Sequence, residues 1–180
     1  MKQLLMIVWL AASIAIAAVP NIGERPPDFK LSTPEGKAVQ LSEVMAKGPV
    51  VLVVLRGYPG YQSPYCNLQV QEFITNAPSF ADIGAHVILV YPGPSQDLRG
   101  KADEFMTGKK LPADFDLVLD PGYDFTNAYG LRWNAPNETA YPSTFLINRE
   151  GAVPFSKIVK EHNGRTTATE VIEAMPKGRK

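Results

Sequence analysis

Six consecutive apolar residues, Val50 to Leu55 (VVLVVL), leave this chain few ways to fold. Four are valines, whose branched side chains suit a pleated strand, and no polar residue alternates with them. A strand of that kind is buried on both faces. A second run, His86 to Tyr91 (HVILVY), has the same character and ends at Pro92-Gly93-Pro94. Two such strands belong at the middle of a sheet with helices packed on either side.

The remaining segments supply those helices and the outer strands. Val19 to Phe29 (VPNIGERPPDF) reads as an irregular entry arm. Phe29–Leu31 and Ala38–Leu41 form a small hairpin turning at Thr33-Pro34-Glu35-Gly36, followed by a short helix over Leu41–Ala46 with Ser42 as its cap. A helix from Pro64 to about Ala77 carries Leu68, Val70, Phe73 and Ile74 at a rough helical spacing. Another, opened by Ser95 and running to about Met106, turns Leu98, Ala102 and Phe105 inward. Leu117–Leu119 is a short strand and Phe125–Tyr129 a helical turn. Thr144–Ile147 and Val153–Ile158 form a hairpin turning at Asn148-Arg149-Glu150-Gly151, and Thr166–Ala174 is the closing helix. Strands alternating with helices, then a hairpin and a helix, define an α/β domain with a central mixed sheet flanked by helices on both faces.

The N-terminus stands apart from that domain. Lys2 precedes an apolar run from Leu4 to Val19 interrupted by Ser13, with Ala15-Ile16-Ala17 as a small-x-small cleavage site. A helix of that length spans roughly 24 Å, short of the roughly 30 Å hydrocarbon core. Residues 1–17 are therefore expected to be a cleaved signal peptide, with a retained N-terminal anchor as the alternative, and residues 18–180 the domain. Either way the domain is exported to the periplasm or another extracytoplasmic space. Membrane association through residues 4–19 follows only if the leader stays. A formal net charge of zero gives no reason to expect a nucleic-acid partner.

Export sharpens the meaning of the single cysteine, because exported domains usually carry cysteines in pairs. With one thiol there is no internal disulfide. Cys66 follows the first buried strand in Tyr58-Pro59-Gly60-Tyr61-Gln62-Ser63-Pro64-Tyr65-Cys66. Ser63 suits the N-cap and Pro64 the first helical position, which puts Cys66 at the third. Orphan N–H groups and the helix dipole there favour a thiolate, whereas an ordinary thiol of pKa about 8.5 is only about 3% ionised at neutral pH. The competing reading is a buried, inert cysteine. His86 and His162 are far apart in sequence and, with one cysteine, make no metal site. No flavin or nucleotide motif is present, so no cofactor is expected.

These features resemble the redoxin group, the alkyl hydroperoxide reductase/thiol-specific antioxidant (peroxiredoxin) branch of the thioredoxin-like superfamily. The likeness covers about Ile22 to Met175. It rests on Gly23-Glu24-Arg25-Pro26-Pro27-Asp28-Phe29-Lys30-Leu31, on Gly48-Pro49-Val50-Val51-Leu52-Val53, and on Pro59 and Ser63 standing seven and three residues before Cys66. Two departures stand beside it. Tyr141-Pro142-Ser143-Thr144-Phe145-Leu146-Ile147-Asn148 lacks the arginine that peroxiredoxins carry there, and Pro142 occupies the place of the thioredoxin cis-proline. Ser63-Pro64-Tyr65-Cys66 also resembles a C-P-Y-C motif without its first cysteine.

The resemblance implies a thioredoxin-like fold and a one-cysteine peroxidase. Cys66 would reduce hydroperoxides through a sulfenate and be recycled by an external thiol, protein or small molecule. Ser63 would cap the helix and donate to the peroxide or thiolate, and Pro59 would shape and shield the loop. Arg132, ranked ahead of Arg56, would bring positive charge to the substrate, and Pro142 would dock a thiol or disulfide. A homodimer is left open. The alternatives are thiol–disulfide exchange through mixed disulfides at Cys66, and a thioredoxin-fold binding module without catalysis.

Overall fold

Both buried runs lie in the middle of a seven-stranded mixed sheet. The computed structural model describes residues 18–175. Its elements are β1 (Lys30–Ser32), β2 (Ala38–Gln40), α1 (Leu41–Met45), β3 (Val50–Val54), α2 (Pro64–Thr75), α3 (Ala77–Asp82) and β4 (His86–Gly93). Then follow α4 (Leu98–Met106), β5 (Phe115–Pro121), α5 (Asp124–Ala128), β6 (Ser143–Ile147), β7 (Phe155–Ile158) and α6 (Ala168–Ala174). The expected leader, residues 1–17, lies outside the described residues, among which no helix is long and apolar enough to cross a membrane.

The strand order is β2-β1-β5-β4-β3-β6-β7. Strands β3, β4 and β5 run parallel, and the outer strands are antiparallel to their neighbours. Val50 lies opposite His86 on one side of β3 and Ile147 on the other, so β3 is fully paired along both edges. Its side chains alternate between two cores, as the pleat requires. Val51 and Val53 join Val70, Phe73, Phe80, Leu89 and Phe105. Val50, Leu52 and Val54 join Ile88, Phe125, Tyr129 and Phe145 on the opposite face. A strand buried on both faces has no polar side to show in its sequence.

Four details differ from the sequence-based expectations. The helix after Cys66 ends at Thr75, and Asn76 caps it through its own N–H groups and its side chain, both donating to the Glu72 carbonyl. A separate α3 then begins, because Pro78 has no N–H with which to continue the first helix. Within α2 the inward positions are Cys66, Gln69, Val70 and Phe73, while Leu68 points outward at 70% exposure. Helix α4 starts at Leu98 rather than Ser95, because Asp97 adopts a left-handed conformation (φ 56°). Finally, Ser42 does not cap α1; the Asp28 carboxylate accepts from its N–H at 2.9 Å and its hydroxyl at 2.8 Å.

The loop leaving β3 crosses the carboxyl end of β4 at very short range. Tyr58 N–H donates to the Pro92 carbonyl at 3.0 Å, and Gly57 turns with φ +69°. A Cβ on Gly57 would stand 1.8 Å from that carbonyl oxygen, so only glycine fits. Gly57→Ala is expected to cost about 3 kcal/mol of stability, read as a lower urea midpoint at unchanged slope.

Candidate active site

The Cys66 thiol is held where the end of β3 meets the start of α2. Ser63 takes extended backbone angles as N-cap, and its Oγ accepts from the Cys66 N–H at 3.3 Å. Pro64 follows at the first helical position, so no donor is wasted there. On the other side, the N–H of Arg56, two residues beyond the end of β3, donates to Cys66 Sγ at 3.4 Å. Cys66 is 1% exposed and packs in the same core as Val51, Val53 and Val70. Helix N-terminus and strand end thus converge on one buried thiol.

The arginines are arranged otherwise than the sequence suggested. Arg56 meets the sulfur with its backbone only. Its guanidinium, 3% exposed, pairs through Nε with Glu138 Oε2 and donates to Tyr61 Oη and the Asn137 carbonyl, each at 2.7 Å. Arg132 is also directed away from Cys66. It donates to the carbonyls of Trp133, Glu138 and Thr139 and lies over the Tyr123 ring, because the 132–140 turn brings those acceptors around it. The guanidinium at the thiol belongs to Arg165, whose Nη2 lies 3.6 Å from Sγ. No local pattern links residues separated by 99 positions, and only tertiary folding brings them together.

Pro59 is half-buried in the loop before α2, between Tyr58 and Gly60. Gln62 accepts from the Tyr91 hydroxyl at 2.7 Å and donates to the Lys101 carbonyl at 2.9 Å, tying the loop to β4 and α4. Burial pushes the Tyr91 hydroxyl well above its ordinary ionisation range, so it stays a donor. Pro142 is buried at the entry to β6, where its carbonyl accepts from Val159 N–H at 2.9 Å. No peptide bond among the described residues is cis, which corrects the expected thioredoxin-type proline.

Arg56 and Ser63, which touch Cys66 from two sides, also line a surface recess of about 220 Å³ with Tyr61, Pro64, Tyr65 and His162. A larger recess of about 450 Å³ sits around Pro49, Asn148 and Met175 at the opposite end of β3, away from the thiol. His162, which makes no metal site on sequence, closes the rim. Its Nε2 is 2.7 Å from Glu138 Oε1, and its ring stacks on Trp133 at 5.3 Å. Among the described residues no group of three His, Cys, Asp or Glu side chains could hold a metal ion.

Glu138 therefore joins two side chains, Arg56 through Oε2 and His162 through Oε1. Burial opposes ionisation of its carboxyl, but the hydrogen bonds from Arg56 and His162 outweigh burial and hold it below the ordinary 4.5. A carboxyl lowered on folding adds stability that is full above its unfolded value and fades as pH falls through its folded one. Glu138→Gln should cost about 2–3 kcal/mol at neutral pH. The gap between wild type and variant should narrow below pH 4.5, checked by urea denaturation over a pH series.

Comparison with known proteins fits this geometry. The AhpC/TSA family pattern matches residues 22–156. Peroxiredoxin Bcp of Bacillus subtilis is 30% identical over 161 residues, covering 86% of this chain and 92% of that protein. The thiol-disulfide oxidoreductase ResA of Halalkalibacterium halodurans is 27% identical over 159 residues, covering 88% of this chain and 77% of its own. Peroxidoxin BcpB of Mycobacterium tuberculosis has a similar fold, with a TM-score of 0.66 at 20% identity over 86% of this chain and 96% of that one. The chain belongs to the AhpC/TSA family, within the redoxin branch of the thioredoxin-like superfamily that includes the peroxiredoxins.

Proposed function

We propose that this protein is a thiol-dependent oxidoreductase that reduces hydroperoxides at Cys66 by a one-cysteine route. The observation that carries the reading is the Cys66 sulfur itself. It lies in the first turn of α2, with a backbone N–H of Arg56 donating to it and Ser63 capping its own N–H, in a chain of this family. A hydroperoxide enters by the recess lined by Tyr61, Tyr65 and His162 and reaches the sulfur past Ser63.

The thiolate attacks one peroxide oxygen; the S–O bond forms as the O–O bond breaks. Sulfur is oxidised by two electrons, and the leaving oxygen departs with a proton as water or an alcohol. Ser63 Oγ accepts one hydrogen bond from Cys66 N–H and keeps its own O–H free to donate to the incoming oxygen. The chain has no second cysteine, so an external thiol condenses with the sulfenate, releasing water and leaving a mixed disulfide. A second external thiol then frees Cys66. Two thiols become one disulfide for each peroxide reduced.

The similarity to a thiol-disulfide oxidoreductase favours a second reading, in which Cys66 exchanges directly with disulfides. We place either activity outside the cytoplasm, on the basic Lys2 and the apolar run to Val19, with membrane association only if that run is retained.

With hydrogen peroxide and excess dithiothreitol, the residue 18–180 domain should consume peroxide well above the thiol-only background, and Cys66→Ser should return it to that background. Equal rates for wild type and variant would refute the peroxidase reading. Faster reduction of a glutathione mixed disulfide than of peroxide would favour exchange.

A further inference from the structure

Arg165 lies in segment 159–167, between β7 and α6, beyond the 22–156 stretch that matches the family pattern. Its Nη2 is 3.6 Å from Cys66 Sγ, while its Nε and Nη1 are buried and have no partner among the described residues. The two arginines considered from sequence are differently placed. Arg56 is neutralised by Glu138, and Arg132 is surrounded by three carbonyls and a ring. Arg165 has no such compensation, and the Cys66 sulfur is the one acceptor it meets among the described residues. A guanidinium withdrawn from water without a counter-charge is unfavourable, and an ionised sulfur beside it supplies that charge.

The segment is held so that Arg165 stays in place. Gln69, the polar residue on the inward face of α2, donates to the Thr166 carbonyl at 3.0 Å. One turn on, Glu72 accepts from the Ala168 N–H at 2.9 Å. Thr167 and Glu170 form a reciprocal capping box that fixes where α6 begins. On the other flank, His162 bonds Glu138 and stacks on Trp133. Anchors at residues 162, 166, 167 and 168 thus bracket Arg165, and two of them come from the helix that carries the thiol.

We propose that Arg165 is a catalytic residue of this protein: its guanidinium holds Cys66 as the thiolate, from a loop after β7 instead of from the entry to β6, where Pro142 and Ser143 stand. The proposal rests on the reading of Cys66 as the reacting nucleophile. Arg165 transfers no atom or electron. It keeps its protons throughout and stabilises the negative charge on sulfur until attack passes that charge to the leaving oxygen.

Iodoacetamide alkylation and hydrogen peroxide oxidation of Cys66, each followed by intact mass over a pH series, test this on the folded protein. Arg165→Met should slow alkylation about tenfold at neutral pH and displace the pH–rate profile upward, with rates converging on wild type at high pH. Arg165→Lys, which keeps the charge, should recover part of the loss. The exposed Arg149→Met at the far end of the sheet controls for net charge and should match wild type. If Arg165→Met does not fold, the Lys variant and Arg165→Gln carry the same comparison.

An unshifted profile in any folded variant lacking the charge would overturn the assignment, even if wild type consumes peroxide. A shifted profile in a protein that fails to consume peroxide would support Arg165 as the thiolate's partner while refuting the peroxidase reading.

Discussion

The Cys66 sulfur sits at a junction that two independent backbone elements must both respect. The Arg56 N–H that reaches it lies two residues past a fully paired central strand, and the Cys66 N–H is spent on the Ser63 cap. Neither element can shift without breaking a hydrogen bond that has no substitute in a site 1% exposed. The Gly57 crossing over Pro92 fixes the path of the loop between them. Everything else at the site is arranged around that fixed sulfur. Gln62 ties the loop to the neighbouring strand and helix, and Gln69 and Glu72 reach from the thiol's helix to the segment that carries Arg165.

Charge at the site is sorted by the same arrangement. Arg56 is consumed by Glu138 and becomes part of a structural strap that also holds His162 and therefore the loop above the thiol. That strap leaves Arg165 as the guanidinium whose hydrogen-bond acceptor is the sulfur. A family member without the usual arginine at the entry to its late strand still brings a guanidinium to its cysteine, by a different route along the chain. Pro142, trans and engaged with Val159, leaves that entry to a backbone contact with the segment following β7.

What the sequence disclosed and what it hid divide along the range of the interactions. The β3 and β4 runs were legible because continuous apolar β-branched residues have one good use, and the Ser63-Pro64 cap was legible because capping is decided within four residues. The fold class followed from the alternation of such segments. The outward turn of Leu68 is not legible, because helical spacing cannot weigh the hydrogen bond from Gln69 to the Thr166 carbonyl against an apolar side chain. Arg132 ranks ahead of Arg56 on sequence because the Tyr129-to-Pro142 segment leads into a late strand, yet the turn around it offers three carbonyls. Arg165, in a polar turn 99 residues from Cys66, carries no local mark of its neighbour.

Trapping the oxidised sulfur directly addresses the chemistry on which these assignments depend. The folded domain would be exposed briefly to near-stoichiometric hydrogen peroxide with dimedone present, and its intact mass compared with that of Cys66→Ser. A single dimedone adduct, formed rapidly and confined to the wild type, is expected from a sulfenate at Cys66. A thiol left unmodified on that timescale, or an adduct equally present in the variant, would contradict it.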